Sequence, residues 1–457
     1  MYSNTSNSMN VNNYLTDWFV SEHGVRQGDA LSPTLFSLFI NDLISELKNT
    51  NVGVKIDNVK ICILAYADDL VVFADNEHDL QYLLNILYNW CRKWRLQVNY
   101  DKTKIVHFRG KNVERTDYNF KCGNNKLEIV HQYKYLGVVL DEYLDYKTTT
   151  EILASSAGRA LGSVINKVKS NKDLGFQTYT TLYNNCVAPV MDYGSGVWGR
   201  FKFKHCEDVQ LRACRYYLGI HRLAPIPGIV GDTGWYNCDT RWKIEIIRFY
   251  NRLLYMDNNR LTKRIYQYDR CILKNNWCSY VKNLLVGLDM SANWEDEIPV
   301  DINTLKEKLY DIAHNDWEHS VLTKPKLRTY SLIKHNFICE PYISCNLSKN
   351  VRSLICQLRL GILPLRIETG RYVQEPVPDR KCLLCKTNSV EDETHFLFQC
   401  DAYDFIRDDM YPEMRQQDFI NKSAAEKFVH VFNNPYKLGK YLTKLMLLRK
   451  NCLYKCN

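Results

Sequence analysis

Two groups of residues in this chain of 457 residues have types and spacing that could do chemistry. AYADDLVVFA, residues 65–74, sets Asp68 and Asp69 side by side in an apolar run that begins at ICIL. Unpaired carboxylates are costly to bury, so this pair belongs either on an exposed turn or where a cation meets it. The second group is Cys382, Cys385, His395 and Cys400, in CLLCKTNSVEDETHFLFQC. Seventeen cysteines in the chain give about 0.6 Cys-x-x-Cys pairs by chance, so that spacing alone says little. A nearby histidine and third cysteine complete an S₃N set that suits tetrahedral structural Zn²⁺. The competing reading is a core histidine with unligated thiols. Asp408 and Asp409, in FIRDDMY, are an internal control: adjacent aspartates without flanking strands mean little.

The elements around the aspartates follow from periodicity. ICILAY and LVVFA are rich in β-favouring residues, which predicts a hairpin with Asp68 and Asp69 at its turn. Upstream, HGVRQGDALSPTLFSLFINDLISEL reads as a loop feeding a helix, with Ser32 as N-cap and Pro33 at the first helical position. Leu35, Phe36, Phe39, Ile40, Leu43, Ile44 and Leu47 then mark its apolar face. Arg26, Gln27 and Asp29 lie between and beside Gly24 and Gly28, where side chains and N–H groups could meet a ligand. Residues 76–98 predict a second helix, capped by Asp75 or Asn76, with Leu80, Leu84, Leu87, Cys91 and Trp94 on one face. It ends in Arg92, Lys93 and Arg95, a cluster of the kind that is usually a solvated face. LQVNYDKTKIVHF reads as a strand carrying Lys102 and Lys104, and QYKYLGVVLD as a strand pair interrupted by Gly137.

Composition narrows the class. With 46% hydrophobic and 24% charged residues the chain is ordinary globular material. A formal charge of +9 leans toward polyanionic partners without establishing them. No apolar run of about 18 residues occurs, so no membrane span is expected. The Asn- and Ser-rich start is no secretory signal, and cysteines scattered through a long chain point to an intracellular, reducing setting. No fixed-period repeat is present, which argues against a solenoid.

GVRQGDALSP, AYADDL, NYDKTK and YKYLG, in this order and spacing, resemble the reverse transcriptase of non-LTR (LINE-type) retrotransposons over the first third of the chain. CVAPVMDYGSGVWG, residues 186–199, is similar to a segment that follows the polymerase core in the same elements, and ETHFLFQC to their terminal cysteine-histidine motif. The resemblance implies an α+β fold: part of a right-hand polymerase palm, then a mainly helical thumb and C-terminal region with a small zinc knuckle. It implies RNA-directed DNA synthesis with RNA template, DNA primer and deoxynucleotides. Two Mg²⁺ ions about 4 Å apart would be held by carboxylates. Asp68 matches the family's principal metal-binding aspartate of this box and Asp69 its partner, with Tyr66 beside them. Arg26, Gln27 and Gly28 match the loop against the templating base and nucleotide. Lys102 matches the candidate proton donor to pyrophosphate, and Tyr135, Leu136 and Gly137 the strand that grips the primer end. A core aromatic is the other reading of Tyr135.

The family also carries a metal-binding aspartate on an earlier palm strand. Asp17 lies too close to the Gln27 loop, in surroundings unlike that motif, and is not assigned to it. The expectation is an N-terminally truncated polymerase, inactive alone; the alternative is a noncatalytic nucleic-acid-binding protein of the same origin. The expected segments are a partial palm over 1–145, a thumb-like helical region over 146–230, a helical region over 231–380, a CCHC knuckle over 381–401 and a tail over 402–457. PLRIETGRYVQEPVPD, residues 364–379, reads as the lead into a new unit. Nuclear access is implied by retrotransposon biology, and the sequence is silent on oligomeric state.

Overall fold

In the computed structural model, which describes residues 5–21, 24–26, 28–171 and 173–454, the apolar spacing after Pro33 becomes the helix Ser32–Asn49. Its buried side, Ile40, Leu43 and Leu47, meets Leu83, Leu87 and Trp90 of a second helix, Glu77–Lys93. Asn76 caps that helix by accepting the Asp79 N–H. Trp90 enters the core, whereas Trp94, expected on the buried face, lies past the helix end and is 44% exposed. Both helices back the hairpin Ile63–Tyr66 and Asp69–Val72, whose Ile63, Leu70 and Val72 face the same core. Arg92, Lys93 and Arg95 are exposed.

Ser32 does not cap the first helix. Leu31 stands at the cap position without a side-chain cap, and the Ser32 hydroxyl instead donates to the Arg26 carbonyl at 2.5 Å. The acceptor that tightens this entry is Asp29, whose carboxylate takes the Leu31 N–H at 3.0 Å. Only Lys104–Ile105 of the run expected around Lys102 pairs as strand, parallel to Glu128–Ile129. A second hairpin, Gln132–Tyr135 and Val138–Asp141, turns through Leu136 (φ 46°) and Gly137 (φ 86°). A two-residue turn that matches strand twist needs such left-handed positions. Each sheet among the described residues has two strands, so the expected palm is present as separate hairpins rather than one continuous sheet.

These elements belong to one compact unit, residues 1–146; residues 147–457 form a second. The second unit begins with the helix Lys147–Ser170, burying Leu153, Ala157, Leu161, Val164 and Val168, and is helical nearly throughout. The 186–199 motif is a packing junction. The Asp192 carboxylate accepts the Trp242 N–H at 2.8 Å and Arg241 Nε at 3.1 Å, and the Trp198 N–H reaches the Tyr193 carbonyl at 2.9 Å. A Cβ at Gly199 would stand 2.8 Å from that of Trp242, so only glycine lets the segment this close.

Two expected boundaries dissolve here. Residues 364–379 do not open a new unit: Leu365, Ile367 and Glu368 are buried and the Arg366 N–H donates to Glu391. The expected tail is packed helix, with Leu438, Tyr441, Leu442 and Leu445 of Pro435–Tyr454 fully buried. No helix among the described residues is long and apolar enough to cross a membrane.

Deep in this unit Arg359 donates to both Asp232 oxygens and pairs with Glu340 at 2.9 Å, while the Tyr342 hydroxyl donates to Asp232 at 2.7 Å. Asp232 is 0% exposed, so removing it leaves the buried guanidinium with Glu340 alone and the buried Tyr342 hydroxyl without its acceptor. Asp232→Ala is expected to cost about 3–5 kcal/mol, read as a fall in the urea midpoint of the helical unit.

Candidate active site and metal cluster

The aspartate hairpin closes in two residues, Ala67 and Asp68, with Tyr66 and Asp69 as the last paired positions. Ala67 takes φ 51°, a left-handed conformation that costs a non-glycine residue about 1 kcal/mol. Strain of this kind persists only where the surroundings enforce it, here two helices packed beneath a short turn. Asp68 and Asp69 are both exposed, and among the described residues neither forms an ion pair with a lysine or arginine. The control pair behaves otherwise: Asp408 is held by Arg415 and Asp409 by Lys444 at 2.7 Å. Two unneutralised carboxylates on a rigid turn are a fitting donor set for a hard, oxygen-preferring cation.

Among the other expected site residues, Tyr135 comes into the field of this pair. Burial pushes its phenol up, and the Asp69 charge adds to that shift. Tyr66, 66% exposed, stands opposite Asp69 in the hairpin register. Gly137 occupies the turn of the second hairpin at φ 86°. Gly28 has φ 85° and open space where a Cβ would lie, and the Arg26 carbonyl accepts the Ser32 hydroxyl; Gln27 lies outside the described residues. Lys102 sits exposed in a turn where its backbone N–H donates to Asn99 at 3.1 Å.

The sequence reading missed the group that fixes the Tyr135 hairpin. Glu142, directly after that hairpin, is 3% exposed. It accepts Arg109 Nε at 3.0 Å, Arg115 Nη2 at 2.9 Å and His131 Nδ1 at 3.1 Å, tying both ends of the hairpin to the 109–115 loop. The only signal was an acidic residue closing an apolar strand. Burial pushes the Glu142 carboxyl up, but Arg109, His131 and Arg115 outweigh it and hold it at about 2.

In the helical unit Cys382, Cys385, His395 and Cys400 converge, their ligand atoms all within 4.8 Å of one another. The Cys382 and Cys400 sulfurs are 3.8 Å apart, and Cys385 Sγ lies 3.4 Å from His395 Nε2. Tetrahedral coordination with metal–sulfur bonds of about 2.3 Å separates sulfurs by about 3.8 Å, so the residues fit a zinc-sized ion. The Cys382 and Cys400 thiols share one hydrogen bond, which holds Cys382 below the ordinary thiol range and pushes Cys400 above it. His395 opens the π-helical turn His395–Gln399, and its backbone N–H donates to the Asp392 carboxylate at 2.8 Å.

Residues 2–140 match the family described as reverse transcriptase (RNA-dependent DNA polymerase). That match takes in nearly the whole of the first unit, residues 1–146, which is thus similar to a reverse transcriptase domain. Its relatives are polymerases of non-LTR, LINE-type elements. It is 28% identical over 196 residues to the RNA-directed DNA polymerase from mobile element jockey of Drosophila funebris, covering 42% of this chain and 21% of that protein. Against the probable RNA-directed DNA polymerase from transposon BS of Drosophila melanogaster, identity is 27% over 214 residues, 44% of this chain and 23% of the relative. The Pol polyprotein from type-2 retrotransposable element R2DM of the same fly is 32% identical over 144 residues, 30% of this chain and 14% of the relative. The matches thus span less than a quarter of these relatives' own length.

Glu142 titrates lower folded than its ordinary value of 4.5, so its ionised form stabilises the fold fully above that value and ceases to do so as pH falls through about 2. Between about pH 5 and about pH 2.5 the wild-type chain is therefore expected to lose more thermal stability than Glu142→Gln, as followed by circular dichroism.

Proposed function

We propose that this chain supplies the metal-holding and primer-contacting part of an RNA-directed DNA polymerase of a LINE-type retrotransposon, working on an RNA template, a DNA primer and deoxynucleotides. The observation that carries this reading is the strained turn of Asp68 and Asp69, free of ion pairs among the described residues, with Tyr135 in the field of Asp69. Asp68 and Asp69 would hold Mg²⁺. Bound there, the metal would activate the primer 3′-OH and clamp the nucleotide phosphates. The turn Leu136–Gly137 and Tyr135 would seat the primer end, and Arg26, Gln27 and Gly28, with Tyr66, the templating base and nucleotide. Lys102 would protonate pyrophosphate only if substrate covers it, because an exposed lysine is a poor acid.

The family's earlier palm aspartate has no assigned counterpart in residues 1–457, and on that ground the polypeptide alone does not extend a primer. Purified protein with Mg²⁺ and a primed RNA template should give no template-dependent product. Synthesis that disappears in Asp68→Asn would overturn the inactivity and leave the assignment of the pair standing.

A second reading, a noncatalytic nucleic-acid-binding protein, is favoured by the charge distribution. Acidic residues outnumber basic ones in residues 1–146, so the positive excess belongs to the helical unit. Binding of RNA by the isolated chain should then weaken steeply with salt, and Asp68→Asn should leave it unchanged.

The cysteine–histidine cluster would hold one structural zinc. Metal analysis is expected to find about one zinc per chain, lost in Cys385→Ser. Folded protein without zinc would end that assignment.

A further inference from the structure

The segment that brings the cluster's ligands together is wedged among helices of its own unit. Two acidic residues of VEDETH are almost wholly buried: Glu391 is 1% exposed and Glu393 2%. Glu391 takes Arg449 Nε at 3.0 Å and Nη2 at 2.8 Å, reaching the last helix, and its carboxylate also accepts the Arg366 N–H at 2.8 Å. Glu393 takes Arg328 Nε at 2.9 Å and Nη2 at 2.6 Å. The carbonyl of Leu397 accepts the Tyr441 hydroxyl at 2.7 Å and Arg407 Nε at 3.2 Å, and the Cys400 carbonyl accepts Arg407 Nη2 at 2.9 Å. Phe396 and Leu397 are fully buried. The exposed residues of the knuckle are Leu383, Lys386–Asn388, Gln399 and Asp401.

We propose that zinc in this cluster is a staple for the chain's own helices, not a reader of nucleic acid: it locks the 391–400 turn in the one position from which Glu391, Glu393 and two backbone carbonyls capture Arg449, Arg328 and Arg407. The inference rests on the zinc reading above and says what that ion does. Buried carboxylates and guanidiniums are tolerated only as satisfied pairs, so the 391–400 turn and its arginine partners hold or fail together. Without an ion, three thiols and an imidazole within 4.8 Å have nothing to bind them jointly, and the turn loses its anchor to Cys382 and Cys385.

The test uses the full chain loaded with zinc, treated with a strong zinc chelator, with tryptic cleavage followed by mass spectrometry. Arg449 and Arg407 are 7% and 6% exposed, so trypsin reaches their bonds only when the pairs open. Chelation is expected to speed cleavage after both by about tenfold or more and to lower the thermal midpoint. Glu391→Gln, which keeps all four ligands, is expected to retain zinc yet lose protection at Arg449. The double variant Leu383→Ala, Lys386→Ala is expected to bind RNA within about twofold of wild type. Zinc that leaves without a change in cleavage overturns the staple while leaving the metal site intact. A loss of about tenfold or more in RNA affinity in the double variant, with zinc and protection retained, overturns it in favour of a nucleic-acid reader. Folded, protected chain with no zinc overturns the metal reading and the staple together.

Discussion

A carboxylate taken out of water must be met by a cation, and much of this fold is arranged around that demand. Glu142, Asp232, Glu368, Glu391 and Glu393, the buried acids among the described residues, each lie against arginine or lysine. Those pairs tie together segments far apart in sequence, 127 residues apart for Arg359 and Asp232. In the first unit the same rule fixes a hairpin; in the second it stitches helices. Asp68 and Asp69 stand outside the rule, since they are exposed and, among the described residues, pair with no lysine or arginine. Their electrostatic demand is left for something that binds.

How much of this was legible beforehand depended on how local the cause was. The aspartate hairpin, the helix capped by Asn76 and the helical character of the region from 146 onward follow from adjacent residues and their periodicity, and they form as expected. The cysteine–histidine set was legible because a histidine and a third cysteine follow the Cys-x-x-Cys pair closely in sequence. What escaped was long-range. Nothing near Glu142 announces Arg109 or Arg115, and nothing in VEDETH announces Arg449 and Arg328, which arrive from 58 and 65 residues away. The expected tail failed for the same reason, because its burial against the Lys349–Arg359 helix is a tertiary fact. Ser32 shows a smaller version: a good capping residue was pre-empted by Asp29, three positions earlier.

The reverse transcriptase match stops near residue 140, where the first compact unit also ends. The two units differ in kind. The first is made of hairpins backed by two helices, with its distinctive side chains at turns. The second is helical, with its charged residues often turned inward against one another. A residue's meaning therefore changes across residue 146: an acidic side chain in the first unit can be a ligand donor, while in the second it is more often half of an internal pair.

The left-handed backbone at Ala67 has a historical reading as well. Glycine or asparagine would sit there at lower conformational cost. A lineage kept only for its fold would thus gain by exchanging the alanine, while one kept for the placement of Asp68 and Asp69 would hold whichever residue sets the pitch of that turn. The alanine at position 67 thus ties the pitch of the turn, and with it the placing of Asp68 and Asp69, to a backbone conformation that glycine would take at lower cost.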